Sequence, residues 1–159
     1  MKKAKKLAVI YCRTATTEKT DKAKLEEQEK QCRVSIKRNG YKLHSIIKDF
    51  GYGGMSSERP GLVHLNNIID EGKISAIYVT EPNRLYRHME KLLELDKKLR
   101  KAKITICIAL RSGDVLPMTE DAQKIASDMF SNFYPYLISE RTKQALARRK
   151  QKLQESNQK

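Results

Sequence analysis

No apolar run in this sequence approaches membrane-spanning length, and the lysine-rich N-terminus lacks the apolar core of a signal peptide. A membrane partner is therefore not expected, and the expected compartment is the cytoplasm. Cysteine is scarce: Cys12, Cys32 and Cys107 stand far apart, two in apparent strands and one on a helix face. An odd number without Cys-x-x-Cys spacing argues against a disulfide framework and against a zinc site. The three read as buried, reduced thiols, and neither a metal nor a cofactor is expected. Negative charge is also in short supply. Nineteen acidic residues face 33 basic ones, giving a net charge of +14 and an isoelectric point near 9.7. That balance points to a polyanionic partner, nucleic acid first and an anionic membrane surface second. The bland alternative is a soluble protein with many surface lysines.

A length of 159 residues suits one domain with a real core. Only 39% of the residues are hydrophobic and 33% are charged. The apolar residues are nonetheless clustered and periodic, which argues against wholesale disorder. Basic residues gather at the two ends: Lys2, Lys3, Lys5 and Lys6 form an N-terminal arm, and Arg141, Lys143, Arg148, Arg149, Lys150 and Lys152 load the C-terminal segment. Two basic ends fit a footprint on backbone phosphates, and the C-terminal set are the candidate DNA contacts.

Strands and helices alternate along the chain. Leu7–Tyr11 reads as a strand. Residues 22–38 have helical spacing, with Leu25, Gln28, Cys32 and Ile36 on one face, closed by Asn39-Gly40. Residues 41–48 alternate like a strand, and 49–59 form a glycine-rich loop. Pro60 opens a helix that runs to Gly72. Ile74–Val79 is a third strand, and Leu92, Leu93, Leu95 and Leu99 mark a third helix. Residues 104–110 form a fourth strand, and 111–117 a loop. A long final helix starts near Thr119 and is broken or kinked at Pro135. The order predicts an α/β fold, a mostly parallel four- or five-stranded sheet flanked by helices. Beyond Ser139 the last helix has few apolar residues, so it pairs with a partner, lies on a polyanion or is simply solvated.

Arg13, Arg59, and Arg84 with Arg87 lie in segments that each follow the C-terminal end of a strand, on one edge of the sheet, where open α/β sheets carry their chemistry. Guanidiniums gathered there repel one another unless an anion lies between them, and phosphate matches their forked donors.

These segments resemble the serine recombinase catalytic domain of the resolvase/invertase family. Tyr11-Cys12-Arg13-Thr14-Ala15-Thr16 resembles its Tyr-x-Arg-Val-Ser-Thr motif, and Leu25–Cys32 its first helix. Gly51-Tyr52-Gly53-Gly54 followed by Arg59-Pro60-Gly61-Leu62 resembles Gly-Tyr-Ser-Gly…Arg-Pro-Gly-Leu. Asn83-Arg84-Leu85-Tyr86-Arg87 resembles Asp/Ser-Arg-Leu-x-Arg, and Leu137–Thr142 the start of its long helix. The resemblance implies a resolvase-like fold with a catalytic-type domain over 1–132 and a long basic helix with a frayed tail over 133–159. A separate DNA-binding domain is not expected within the sequence, whether it was cut short or is free-standing. It implies that Arg13, Arg59, Arg84 and Arg87 hold the scissile phosphate, that Tyr11 and Gln28 support the site, and that Asp49 lies near an acidic position. A bacterial or phage origin, DNA as partner, and a homodimer or higher oligomer through the C-terminal helix follow from the same resemblance.

Three matches fail. Ala15 stands at the nucleophilic serine, Gly53 at a loop serine, and Asn83 where aspartate or serine is usual. Alanine has no oxygen, so it cannot form the phosphoserine link of that family. An engineered substitution and natural loss both account for Ala15. The neighbouring hydroxyls Thr14, Thr16 and Thr17 either take over from the serine or are polar loop residues that cap a helix beginning near Thr20-Asp21; in an extended segment Thr14 and Thr16 point away from the side of residue 15, and Thr17 shares that side but needs a loop shift to come close. The expectation is a recombinase-like DNA-binding domain without its chemistry. The alternatives are a regulatory or assembly protein that binds DNA or a recombinase, and an RNA- or phosphate-ligand-binding domain.

Overall fold

Residue Leu7 begins a run of apolar and β-branched side chains, and all but the first residue of its strand are buried. A strand buried on both faces belongs at the centre of a parallel sheet. The computed structural model, which describes residues 6–56 and 58–118, places it there. The elements are β1 (Leu7–Thr14), α1 (Lys19–Arg38), β2 (Lys42–Phe50), α2 (Pro60–Asp70), β3 (Ala76–Val79), a 3-10 turn (Pro82–Arg84), α3 (Met89–Lys101), β4 (Thr105–Ala109) and β5 (Val115–Pro117). The sheet order is β2-β1-β3-β4-β5. The first four strands pair in parallel, and β5 runs antiparallel to β4. The described residues lie within one compact unit that extends to Thr119.

Alternation along β1 builds two cores. Val9 and Tyr11 join Leu62, Leu65, Ile68 and Ile69 of α2 and Leu92, Leu95 and Leu99 of α3. Ala8, Ile10 and Cys12 join Leu25, Cys32 and Ile36 of α1. The sheet is thus sandwiched between α1 on one side and α2 with α3 on the other. The chain leaves β1 toward β2 and returns on the other side to β3. That reversal opens a crevice at the C-terminal ends of β1 and β3.

Several boundaries differ from the sequence reading. β1 continues to Thr14, so Arg13 lies inside the strand rather than after it, and pairs in register with Asp49. β2 likewise reaches Phe50. Helix α1 starts three residues early, at Lys19. Its N-cap is Glu18, which makes no side-chain capping bond; the threonines do not cap a helix near Thr20-Asp21. Instead Thr16 donates its hydroxyl to the Asp21 carboxylate, and Thr14 is buried in the strand. The loop expected over 111–117 contains β5. Leu110 and Asp114 close a tight turn in which Gly113 takes a φ of 86°, and α1 anchors it through Arg38 bonded to Ser112 O at 2.7 Å. The expected long helix, its Pro135 break, the domain boundary at 132/133 and the basic residues from Arg141 to Lys152 lie outside the described residues.

The three cysteines are free and buried. Among the described residues, no helix is long and apolar enough to cross a membrane, and no cluster of three or more His, Cys, Asp or Glu could hold a metal.

Candidate phosphate site

Three segments meet at the crevice: the end of β1, the loop from β2 to α2, and the 3-10 turn after β3. Their side chains divide into buried and exposed sets.

Arg13 and Arg59 are almost fully buried, 1% and 0% exposed. A buried cation requires acceptors, and main-chain carbonyls supply them. Arg13 donates through Nε to Arg84 O at 3.1 Å, through Nη1 to Tyr52 O at 2.9 Å and through Nη2 to Asn83 O at 3.0 Å. Arg59 donates through Nε to Ser56 O at 2.9 Å, through Nη1 to Arg84 O at 3.0 Å, and through Nη2 to Leu85 O. The 3-10 turn points three successive carbonyls at these two guanidiniums. Arg59 also lies 5.2 Å from the Tyr86 ring centroid and 5.8 Å from that of Tyr11, within reach of cation–π attraction.

Tyr11 and Asp49 complete the buried layer. The Tyr11 hydroxyl donates to Asp49 Oδ2 at 2.6 Å and accepts from Arg59 Nη1 at 2.8 Å. Asp49 Oδ1 accepts from the Gly61 amide at 2.8 Å, in the first turn of α2, where a carboxylate is favoured. A Cβ on Gly61 would sit 2.7 Å from that same oxygen, so the close approach depends on glycine. Burial first, and then the bond to Asp49, push the Tyr11 hydroxyl far above its usual value, so it remains a proton donor. Gln28 braces the strand itself: its Oε1 accepts from Arg13 N at 3.1 Å and its Nε2 donates to Arg13 O at 3.3 Å. Gln28 thereby fixes the Arg13 backbone, as a neighbouring strand would.

Arg84 and Arg87 form the outer layer. The Arg84 side chain is 23% exposed. Its Nη2 pairs with Glu81 at 3.1 Å and its Nη1 reaches Arg13 O at 3.4 Å, while its Nε is buried without a partner. Arg87 is exposed. Its amide donates to Gly54 O at 3.1 Å, and its Cγ lies 2.5 Å from where a Gly54 Cβ would stand. The Asn83 Oδ1 is also buried without a partner. Ala15 is exposed, directly after the strand that carries Arg13.

Arg13 senses the other three guanidiniums. Burial is the largest influence on Arg13, followed by the positive charges of Arg87, Arg59 and Arg84; together they pull its pKa down to about 10. It remains a cation at neutral pH, in a site where positive charge is under-compensated. An anion at the mouth relieves that repulsion. Of the nine residues expected at the site, Tyr11, Arg13 and Ala15 lie on or directly after β1, Asp49 near the end of β2, Arg59 directly before α2, Asn83, Arg84 and Arg87 in and after the 3-10 turn, and Gln28 on the face of α1 packed against β1.

The sequence reading missed the carbonyl acceptors of Tyr52, Ser56 and Leu85, because main-chain oxygens leave no mark in a sequence. It also missed the Thr16–Asp21–Lys24 group beside Ala15. Lys24 bonds Asp21 at 2.6 Å, and with Thr16 it holds the Asp21 carboxyl below its usual value. Asp21 three residues before Lys24 on a helix was a usable signal.

The family model for the resolvase N-terminal domain matches residues 8–154. A candidate DNA recombinase of Bacillus subtilis (strain 168) is 33% identical over 101 residues, 63% of this chain and 20% of that protein. A candidate resolvase of Acanthamoeba polyphaga mimivirus is 33% identical over 89 residues, 56% of this chain and 42% of that protein. The chain thus matches less than half the length of either relative. The crystal structure of the N-terminal catalytic domain of TP901-1 integrase superposes with a TM-score of 0.65 at 21% identity, covering 84% of this chain and 98% of that one. A resolvase family site-specific recombinase from Streptococcus pneumoniae gives 0.60 at 16% identity, covering 92% and 99%. At these identities the two structures speak for the fold.

Proposed function

This chain belongs to the resolvase N-terminal domain family, and we propose that it binds the DNA backbone at its arginine cluster without cutting it. In this reading Arg84 and Arg87 contact a phosphodiester directly. Arg13 and Arg59 set the potential of the pocket and hold the loops that carry the contacting pair. Tyr11, Gln28 and Asp49 position those two arginines, and Asn83 lies beside the phosphate with an amide in place of a proton-transferring group. Phosphoryl transfer needs positioning and charge stabilisation; the proposed cradle supplies both and lacks the attacking oxygen.

The observation that carries the proposal is the position of Ala15. It is exposed and directly follows buried β1, the strand that carries Arg13, and its methyl group offers no oxygen. Two of the three hydroxyls near it are engaged: Thr16 bonds Asp21, and the Thr14 hydroxyl faces Thr16 O at 3.4 Å. The basic residues Arg141, Lys143, Arg148, Arg149, Lys150 and Lys152 extend the backbone footprint, and self-association through the same C-terminal segment belongs to this proposal.

The test is a denaturing gel for a covalent protein–DNA adduct on supercoiled plasmid, with this protein beside its Ala15→Ser version. An adduct formed only by the serine version supports an intact cradle silenced at one position. An adduct formed by both refutes the loss of chemistry. Plasmid binding that is unchanged by Arg87→Ala at low salt refutes the cradle.

A further inference from the structure

The end of β2 and the loop that follows it carry a feature that phosphate binding does not use. Phe50, Tyr52 and Met55 are 37%, 36% and 55% exposed, three of six exposed large apolar side chains among the described residues, within six positions of one another. Buried cores on both faces of the sheet leave these side chains out. Their backbone, by contrast, is tightly held. The Gly51 and Tyr52 amides both donate to Thr14 O, at 3.1 and 3.0 Å. Tyr52 O accepts from Arg13 Nη1 at 2.9 Å. Gly51 takes a φ of 81°, and a Cβ there would meet the Thr17 methyl at 2.6 Å. The chain is pinned against the end of β1 while Phe50 and Tyr52 keep about a third of their surface in solvent. Phe50 pairs in register with Thr14, one residue before Ala15, and the same loop bonds Arg87 through Gly54.

We infer that Phe50 and Tyr52 form a stacking platform for an unpaired nucleobase next to the phosphate cradle, so that the protein prefers single-stranded or locally opened DNA to closed duplex. This rests on the cradle reading above. The chemistry follows from charge and shape. A strand whose phosphate sits at Arg87 brings its own base to the loop that Arg87 is bonded to. In a closed duplex the faces of the bases are covered by their neighbours, and only an unstacked base presents a face to an aromatic ring. Rings on a fixed backbone lose little freedom when a base stacks on them. A second copy of the chain is the other possible occupant of an apolar patch; the net charge of +14 and the arginines bordering the patch favour a nucleic acid over a like-charged copy.

The experiment measures fluorescence anisotropy of the full chain at low salt with three labelled ligands. These are a single-stranded oligodeoxynucleotide, its duplex, and an abasic strand of the same length that keeps the phosphates. The base-bearing strand is expected to bind roughly ten-fold tighter than the abasic one. The pair Phe50→Ala with Tyr52→Ala should remove that difference and leave abasic binding as it was, while Arg87→Ala should weaken all three ligands. The pair Phe50→Leu with Tyr52→Leu keeps apolar area, is less apt to disturb the loop, and should lose the preference as well. Equal binding of base-bearing and abasic strands overturns the platform alone. A preference that survives in the leucine pair also overturns it, as does dissociation of an oligomer by the same pair with unchanged DNA binding. No binding of any strand, or no effect of Arg87→Ala, overturns the cradle and the platform with it.

Discussion

Tyr11→Phe removes one oxygen from the buried layer of the site and nothing else. The ring is fully buried and keeps its place. Its hydroxyl now donates to Asp49 Oδ2 at 2.6 Å and accepts from Arg59 Nη1 at 2.8 Å. Arg59 retains the Arg84 carbonyl on the same nitrogen, at 3.0 Å, so its loss is small. Asp49 is 1% exposed and keeps only the Gly61 amide among its named partners. A hydrogen bond to a charged group is worth about 1.5–3 kcal/mol, and an orphaned buried acceptor bears its full desolvation penalty. The expected loss is therefore about 2–3 kcal/mol, or roughly 5–10 °C in Tm for a domain of this size. Urea unfolding followed by far-UV circular dichroism measures it, with an unchanged slope showing that only stability moved. The alkaline limb gives a second reading. The folded state holds the Tyr11 proton far above the usual tyrosine value, so stability falls as pH rises past about 10, where the unfolded phenol ionises first. Tyr41, Tyr78 and Tyr86 are raised too, mainly by burial, so the variant's limb should be shallower rather than absent. A loss below about 0.5 kcal/mol with an unaltered alkaline limb would refute the account of Asp49, Tyr11 and Arg59 as one coupled network.

Gly54→Ala places a methyl 2.5 Å from Arg87 Cγ and 2.9 Å from Arg13 Nη2; the exposed Arg87 gives way more easily. It should weaken DNA binding in a filter or anisotropy assay while costing at most about 1–3 kcal/mol of stability, and unchanged affinity would show that Arg87 is not a contact. The thiols of Cys12 and Cys107 are pushed up to about 12 and about 11, mainly by burial, and that of Cys32 higher still. All three should resist an aromatic disulfide reagent in the native protein at mildly alkaline pH and react at once in denaturant; fast native labelling of any one contradicts its burial. Lys24 first, and then Thr16, lower the Asp21 carboxyl. Its contribution to stability is present above the ordinary aspartate value of about 3.9 and disappears as pH falls through the folded-state value. The urea midpoint of Asp21→Asn should accordingly fall less steeply than wild type in acid, and parallel curves would dismiss the group as inconsequential.

The order of elements was legible because β1 and β3 are apolar on both faces, residues 41–48 alternate, and each helix presents a periodic face, as Leu62, Leu65, Ile68 and Ile69 do in α2. What escaped lay in long-range pairing. Arg13 reads as a loop residue because charge rarely continues a buried strand, yet Gln28 from α1 and the carbonyls around Arg84 satisfy it there. Strand β5 escaped because three residues ending in proline carry almost no periodic signal, and only the Arg111-Ser112-Gly113-Asp114 turn announces it. The site residues could be named from their motifs, but which arginines are buried and which exposed could not. That division is set by the 3-10 turn, whose carbonyls point inward only after β3 is placed beside β1.

The division bears directly on how the site should be judged. Arg13 and Arg59 between them engage five main-chain carbonyls on two loops. The fold requires them whether or not a phosphate is ever bound, so their presence is no argument for chemistry. Arg84 and Arg87 carry the weaker structural duty: one faces Glu81, and the other extends into solvent. Replacing each of the four by alanine should therefore separate into two patterns. Arg13→Ala and Arg59→Ala should lower the urea midpoint sharply, because each leaves several buried carbonyls without a donor. Arg84→Ala and Arg87→Ala should leave it nearly unchanged and weaken DNA binding, with a shallower dependence of affinity on salt as each phosphate contact is lost. If all four variants unfolded alike, the outer pair would be structural as well, and the cradle would have no free cation to offer a phosphate. If all four stayed folded and lost affinity equally, the main-chain carbonyls would be dispensable partners, and a bound phosphate would take their place.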